Sequence, residues 1–260
     1  FTNNSMGCSI NIKPPNKFIN NKYRLNDKIN IISVSIFKKG KILGQKYLLG
    51  FASLVHLFHK IYPNFILRIY YDSSISNDRY FNDFKLQLKL NEYVQLASYI
   101  CPYQENNKHT DLFGTISRFF VLNENDVGNV FFRDIDFTPH KHDHDIMMNF
   151  IQSDAYLHQI SFGGGNVNYG SLHSVRMNQK YPYILAGAWG VKNDILLKNN
   201  INLLADFIKK IKTQQDNIIK YTYKTTLDKF SYGTDEVILN LVIYENKRNF
   251  NFFCLNNKIL

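Results

Sequence analysis

The chain has 260 residues, 45% of them hydrophobic and 15% aromatic, which excludes disorder by composition and allows a sizeable core. Its formal net charge of +10 favours anionic partners, such as nucleotide phosphates, nucleic acid or a membrane surface. No apolar run of about 18 residues and no basic-then-apolar leader pattern is present, so we expect neither a transmembrane span nor a signal peptide.

The three cysteines are far apart in the sequence. Cys8, Cys101 and Cys254 have neither the spacing of a zinc site nor that of a disulfide framework. Because disulfides are rare in reducing compartments, this pattern predicts unpaired cysteines and a cytoplasmic protein. The basic charge is compatible with peripheral membrane contact.

The first half of the chain alternates between strand and helix patterns. Runs rich in β-branched and aromatic residues predict strands at 29–37, 65–71, 93–100 and 130–133. Apolar residues at helical spacing predict helices at 47–62, 81–90 and 112–122. This alternation is typical of an α/β fold with a mostly parallel central sheet flanked by helices.

The second half is less regular. We predict helices at 140–153, 194–212 and 233–241, a loop at 161–171, and a strand at 182–185 that runs into 186–190. No linker composition or internal repeat divides the chain. We therefore expect one domain, 1–260, whose residues 25–137 bind a nucleotide and whose residues 138–260 bind an acceptor.

Two aspartates follow the fourth predicted strand. Asp134 and Asp136 are spaced i, i+2, so on a strand both carboxylates would point to the same face. Oxygen ligands of this kind suit Mg²⁺ or Mn²⁺, which often share them with substrate phosphates. The alternative is that these residues only form a turn. Ligands of parallel sheets bind at the carboxyl ends of strands, where Asp72 is also expected, and this favours the metal site.

Four segments in order resemble a polysaccharide-associated group of nucleotide-sugar glycosyltransferases with the GT-A fold. They are the R-D-x-D of residues 133–136, His173-Ser174-Val175-Arg176, the ILAGAWG of residues 184–190, and the DEVIL of residues 235–239. The resemblance covers residues 112–240. The chain departs from it at Ala186, where the group has glycine, and after His173, beyond which no histidine occurs.

The resemblance implies a donor site around the two aspartates. Arg118 would contact the donor phosphate or sugar, with a surface charge as the alternative. Ile135 belongs to the same predicted donor-binding segment. Topology alone adds Ser35, Phe37 and Asp72, at the ends of the first two strands of the alternating unit.

The later segments would add the catalytic residues, and would add Gly187 and Trp189 to the donor site. Asp235 or Glu236 would act as the base that an inverting transferase needs, although either could simply cap the helix that begins there. Trp189, between Gly187 and Gly190, could stack on a sugar while the glycines let a ligand approach the backbone. A core position is the alternative for this tryptophan.

A histidine-rich segment is a second metal candidate. His140, His142, Asp143, His144 and Asp145 lie close together in the sequence. We interpret this segment as a loop in which Asp143 or Asp145 caps the following helix.

The predicted activity is transfer of a sugar from a nucleotide diphosphate donor, a UDP-sugar above all, to a carbohydrate or glycoconjugate acceptor with Mn²⁺ or Mg²⁺ as cofactor. One alternative is another metal-dependent nucleotide-processing enzyme, a nucleotidyltransferase or a phosphohydrolase. A basic nucleic-acid-binding protein is the other, although the chain has no recognisable nucleic-acid motif, and we expect no nucleic-acid partner.

Overall fold

The structure is a computed structural model that describes residues 2–3, 8–37, 45–76, 78–88, 91–101, 114–161, 184–213, 234–245 and 252–256. The strands of these residues are β1 (Thr2–Asn3), β2 (Ser9–Lys13), β3 (Arg24–Leu25), β4 (Lys28–Ile36), β5 (Ile66–Tyr71), β6 (Val94–Ile100), β7 (Val127–Arg133), β8 (Leu157–Ser161), β9 (Ala188–Lys192) and β10 (Phe252–Asn256). Their α-helices are α1 (Gln45–Ile61), α2 (Ser73–Ser76), α3 (Arg79–Leu88), α4 (Lys141–Gln152), α5 (Asn193–Lys198), α6 (Leu203–Thr213) and α7 (Thr234–Glu245). Short 3₁₀ helices occur at Asn16–Phe18, Asn21–Tyr23 and Ser117–Asn123.

All described strands belong to one mixed sheet. Its order is β1-β2-β6-β5-β4-β7-β9-β8-β10, and β3 pairs with β4 outside this path. The four central strands, β6-β5-β4-β7, are mutually parallel. The predicted α/β fold with a parallel centre is therefore confirmed. Antiparallel pairs extend the sheet on both sides, where β2 joins β6 and β9 joins β7.

The connection order creates a switch point between β4 and β7. From β4 the chain moves outward through β5 to β6, and then returns to the other side of β4 as β7. In such sheets, ligands bind in the crevice outside the carboxyl ends of the two strands at which the direction reverses. The segments that follow β4 and β7 carry the residues singled out from the sequence, including Phe37 and Asp134.

The sheet separates two apolar cores. One core packs α1, α3 and α4 against one face of the sheet, and includes Phe51, Phe131 and Phe150. The other covers the opposite face with the 3₁₀ helix Ser117–Asn123, α6 and α7. Because successive strand residues point to opposite faces, β7 contributes to both cores.

The second half differs from its prediction in four places, one of which is strand β10, which was not predicted. The long helix expected at 194–212 is two helices, α5 and α6, separated around Asn200, whose φ of 58° cannot continue a right-handed helix. In the described part of the strand expected from 182, residues 184–187 are not in a strand, and β9 begins at Ala188. Strand β8 was not predicted, because its short sequence LHQIS has polar residues at buried positions.

Cys8 and Cys101 form a disulfide, which corrects the prediction of unpaired cysteines. The strand register explains the pairing: Ser9 of β2 lies opposite Ile100 of β6, so the residues just beyond this pair face each other. Their separation of 93 residues hides the pairing in the sequence. Since disulfides are rare in reducing compartments, the cysteines no longer support the predicted cytoplasmic location.

Among the described residues, no helix has both the length and the hydropathy that a membrane crossing requires.

Candidate active site

The two aspartates lie in a turn rather than on a strand. Strand β7 ends at Arg133, and the amide of Phe137 donates a hydrogen bond of 3.1 Å to the carbonyl oxygen of Asp134. Strand alternation therefore does not apply to this pair, because it requires extended backbone. The turn still leaves β7 at its carboxyl end. The side chain of Asp134 is 63% exposed, so its carboxylate is accessible to a ligand.

Two glycine residues pack so closely against this turn that a side chain at either position would clash with it. A Cβ on Gly187 would lie 2.4 Å from both Cγ and Oδ2 of Asp134. A Cβ on Gly50 of α1 would lie 2.5 Å from Cα of Asp136. Both distances are far below van der Waals contact. Glycine at these positions is therefore a condition for the observed placement of the turn.

Arg118 links the turn to helix α7. Its Nη1 donates to Oδ1 of Asp134 at 2.6 Å, and its Nη2 donates to Oδ2 of Asp235 at 3.0 Å. The arginine is almost fully buried, and the hydroxyl of Ser33 on β4 donates to its carbonyl oxygen at 2.7 Å. Its neighbours are thus fixed on β4, β7 and α7, and the surface alternative for Arg118 does not apply.

Asp235 and Glu236 lie in the first turn of α7 with unlike surroundings. Burial raises the pKa of Asp235, while Arg118 opposes this effect. Burial, followed by the charge of Asp235, raises the pKa of Glu236 to about 7. Glu236 also accepts a hydrogen bond from the backbone amide of Ala186. Asp235 is thus held in an ion pair, whereas Glu236 is close to half ionised at neutral pH.

Asn240 is a buried residue of the site region that the sequence analysis missed. Its Oδ1 accepts from the amide of Ile184 at 2.9 Å, and its Nδ2 donates to the carbonyl oxygen of Ile184 at 2.8 Å. This pair of bonds fixes the segment 184–187 against α7. In the sequence, this residue could have been found as the single polar position within the otherwise apolar run of residues 237–243.

The donor chemistry of the turn fits a hard divalent cation. Carboxylate oxygens are what Mg²⁺ and Mn²⁺ prefer, and Asp134 and Asp136 both supply them. Among the described residues, no group of three or more His, Cys, Asp or Glu side chains could hold a metal. This agrees with the usual pattern for Mg²⁺ in nucleotide enzymes, where one or two carboxylates are supplemented by substrate phosphates and water.

The remaining predicted donor residues occupy different positions. Ser35 is nearly buried near the end of β4. Phe37 lies two residues later, and its ring packs so closely against Gly114 that a Cβ on this glycine would lie 2.3 Å from Cγ of Phe37. Ile135 is buried in the core beneath the turn. Asp72 accepts a bond of 2.9 Å from the amide of Ser74, and so caps the short helix α2.

Trp189 is a core residue. Its ring has no exposed surface and stacks on Phe132 at a centroid distance of 4.4 Å. A sugar would need an exposed ring face, so the stacking role is wrong for this structure. The cause is its position on β9, directly opposite Phe132 of β7, which directs both rings into the same core.

The histidine-rich segment forms the start of α4. The ring Nδ1 of His140 accepts a hydrogen bond of 3.1 Å from the amide of His142. His140 therefore caps the helix, a role that was predicted for Asp143 or Asp145. Asp143 is instead paired with Arg133 at 2.8 Å. The resemblance segments at His173–Arg176 and the loop after residue 161 lie outside the described residues.

Comparison with known proteins gives fold-level similarity only. No protein-family model matches the chain, and no curated protein matches it. A solved structure of the galactosyltransferase LgtC with donor and acceptor sugar analogues is similar over 82% of this chain and 69% of its own, with 12% identity and a TM-score of 0.48. Mouse xyloside xylosyltransferase 1 is similar over 87% and 83%, with 11% identity and a TM-score of 0.46. At these values, the inference about activity depends on the residues of the site.

Proposed function

We propose that this protein is a metal-dependent glycosyltransferase. It would transfer a sugar from a nucleotide diphosphate donor, most favourably a UDP-sugar, to a carbohydrate or glycoconjugate acceptor. One observation carries the proposal: the buried guanidinium of Arg118 joins Asp134 to Asp235 at the carboxyl end of β7. This edge is the switch point of the sheet, where a nucleotide crevice is expected.

The donor half of the reaction needs positive charge. A nucleoside diphosphate leaving group gains negative charge as the glycosidic bond breaks, and a bound divalent cation neutralises it. In the proposal, Asp134 and Asp136 hold Mn²⁺ or Mg²⁺ together with the diphosphate. Arg118 adds a permanent positive charge beside Asp134, and because both of its Nη atoms are bonded to aspartates, it would act on the donor phosphate through this charge.

The nucleotide part of the donor would lie along the ends of β4 and β7. Ser35 and Phe37 would line the β4 side, and on the other side the backbone of Gly187 packs directly against the carboxylate of Asp134. Asp72 is less favourable for this role, because its carboxylate already caps α2. Residues 25–137 thus form the proposed nucleotide-binding half, and residues 138–260 the acceptor half.

Glu236 is the better candidate for the base that accepts the proton of the acceptor hydroxyl. A general base works best when its pKa lies near the operating pH, and the pKa of Glu236 is about 7. Asp235 is engaged with Arg118, so we assign it to orienting that arginine and to binding sugar hydroxyls.

The direct test is a panel of nucleotide sugars, with and without Mn²⁺, measured by thermal shift and then by product analysis. A saturating donor at 100-fold its Kd should stabilise the protein by about 2.7 kcal/mol, and only with Mn²⁺. Incubation with acceptors should release UDP and a glycosylated product. Pyrophosphate or free phosphate as the product would instead indicate a nucleotidyltransferase or a phosphohydrolase.

Two variants connect this test to the site. Asp134→Ala and Asp136→Ala should each abolish Mn²⁺-dependent UDP binding, measured by calorimetry. Unchanged binding in both variants would show that the metal site lies elsewhere.

A further inference from the structure

A second buried arginine lies beneath the aspartate turn. Arg133 is the last residue of β7, immediately before Asp134, and only 1% of it is exposed. Its Nη1 donates to the carbonyl oxygen of Phe132 at 2.7 Å and to that of Trp189 at 3.3 Å. This guanidinium therefore joins the end of β7 to β9, the strand that follows Gly187.

The other side of the same guanidinium is paired with helix α4. Nη2 of Arg133 donates to Oδ1 of Asp143 at 2.8 Å, and the hydroxyl of Tyr62 donates to Oδ2 of Asp143 at 2.9 Å. Tyr62 follows α1, so the three side chains join β7, α4 and the end of α1. Burial, together with the charge of Asp143, raises the pKa of Tyr62, which therefore stays a neutral donor.

This network also contacts the far end of the aspartate turn. The Cζ of Arg133 lies 5.6 Å from the centroid of the Phe137 ring, and the rings of Tyr62 and Phe137 are 6.3 Å apart. Arg118 holds the near end, because it donates both to Asp134 and to the carbonyl oxygen of Arg133. Both ends of the turn are thus attached to buried charged groups.

We propose that Arg133, Asp143 and Tyr62 are positioning residues that fix the turn carrying Asp134 and Asp136 in the geometry needed to bind a divalent cation with a nucleoside diphosphate. This inference rests on the proposed function. The network contacts both ends of the turn. It acts through the backbone before Asp134 and through the ring of Phe137. Groups that orient metal ligands typically change metal affinity by about 10- to 100-fold when they are removed.

The test compares Mn²⁺ affinity in the presence of UDP for wild type, Asp143→Asn and Glu124→Gln, together with the unfolding free energy of each. Glu124 is a matched control: it pairs with the buried Arg68, and its side chain is 15% exposed against 11% for Asp143. It precedes β7, whereas the aspartate turn follows it. Both substitutions remove the charge of a carboxylate that pairs with a buried arginine on the central sheet.

We expect Asp143→Asn to weaken Mn²⁺ binding at least about tenfold, and Glu124→Gln to leave it unchanged at a similar loss of stability. Wild-type affinity in a folded Asp143→Asn protein would overturn the positioning role. If Asp143→Asn does not fold, Tyr62→Phe is the variant to test, because it removes only the hydroxyl that bonds Asp143. Weaker Mn²⁺ binding in this variant supports the proposal, and unchanged binding overturns it. Wild type without Mn²⁺-dependent UDP binding would overturn the proposed function itself.

Discussion

The backbone of Gly187 lies against the carboxylate of Asp134, so closely that a single added methyl group would occupy the space of that carboxylate. We therefore predict that Gly187→Ala displaces Asp134 and weakens Mn²⁺-dependent UDP binding by at least about tenfold, in line with changes that disturb ligand orientation. Calorimetry of UDP binding at fixed Mn²⁺ concentration measures this effect.

Gly128→Ala is the matched control for this substitution. Gly128 lies near the other end of β7, where a Cβ would meet Cβ of Lys28 at 2.8 Å. A comparable steric clash is thus placed at the start of β7, whereas the aspartate turn follows the end of this strand. It should lower stability without changing UDP affinity. Equal losses of affinity in both variants would mean that Gly187 acts only through general stability.

The two ion pairs of Arg118 should contribute unequally to stability. Asp235 is nearly buried, and loss of one partner from a buried pair typically costs about 3 to 5 kcal/mol. We expect Asp235→Ala to cost about 3 kcal/mol, because Arg118 keeps its bond to Asp134. Asp134 is 63% exposed, so Asp134→Ala should cost less than about 1 kcal/mol. Urea unfolding at neutral pH without metal measures both values.

Asp134→Ala should lose less stability than Asp235→Ala, and yet it should lose more Mn²⁺-dependent UDP binding. Asp134→Ala should remain folded and lose Mn²⁺-dependent UDP binding. Asp235→Ala should retain part of that binding wherever it is folded. A strongly destabilised Asp134→Ala with normal UDP binding would contradict the assignment of Asp134 as the exposed ligand.

Glu236 should make both activity and stability depend on pH. Its folded pKa of about 7 lies above the usual value of 4.5, so the folded state holds the proton more tightly than the unfolded state does. The protonated form of Glu236 therefore stabilises the folded state fully below about pH 4.5. This contribution of about 3 kcal/mol is lost as the pH rises to about 7. Transfer activity should rise through the same region as the base ionises.

Glu236→Gln removes both effects. Its unfolding free energy, measured without metal, should lack this decline between pH 4.5 and 7, and its activity should be strongly reduced at every pH. Glu92→Gln is the control: Glu92 is exposed and paired with Lys22, a bond that lowers the pKa of Glu92, so its contribution to stability does not decline as the pH rises. An unchanged pH profile in Glu236→Gln would exclude Glu236 as the base.

The sequence predicted the parts of this molecule that depend on local pattern. Strands β4 to β7 and helices α1 and α3 have clear periodicity, and their alternation implied the parallel centre of the sheet. The burial of Trp189 could not be derived in this way. It depends on Phe132, which is 57 positions earlier in the chain but directly opposite in the sheet.

The residues of the candidate site were proposed from the sequence, but their arrangement in space was not predicted. Asp134, Asp136 and Arg118 were identified from order and spacing, whereas the turn that replaces the expected strand end was not. The ion pair of Arg118 with Asp235 spans 117 residues, and the clamp of Asn240 on Ile184 spans 56. Contacts at such separations follow from how helices pack on the sheet, which no local pattern specifies.

The disulfide between Cys8 and Cys101 should be a large contributor to stability. It closes a loop with a separation of 93 residues, and cross-links of this kind typically stabilise a protein by about 2 to 5 kcal/mol, mainly by restricting the unfolded chain. We therefore predict that a reductant, or Cys8→Ser, lowers the unfolding free energy by this amount. Denaturant titrations with and without reductant provide the measurement.

The variant itself supplies the control. Cys8→Ser should unfold at the same denaturant concentration with and without reductant, whereas wild type should shift, since only wild type has this bond to lose. A wild-type protein purified under oxidising conditions that shows no shift, together with two free thiols by chemical titration at positions 8 and 101, would contradict the pairing. Because β2 is held to β6 by backbone bonds as well, the reduced protein should remain folded in the absence of denaturant.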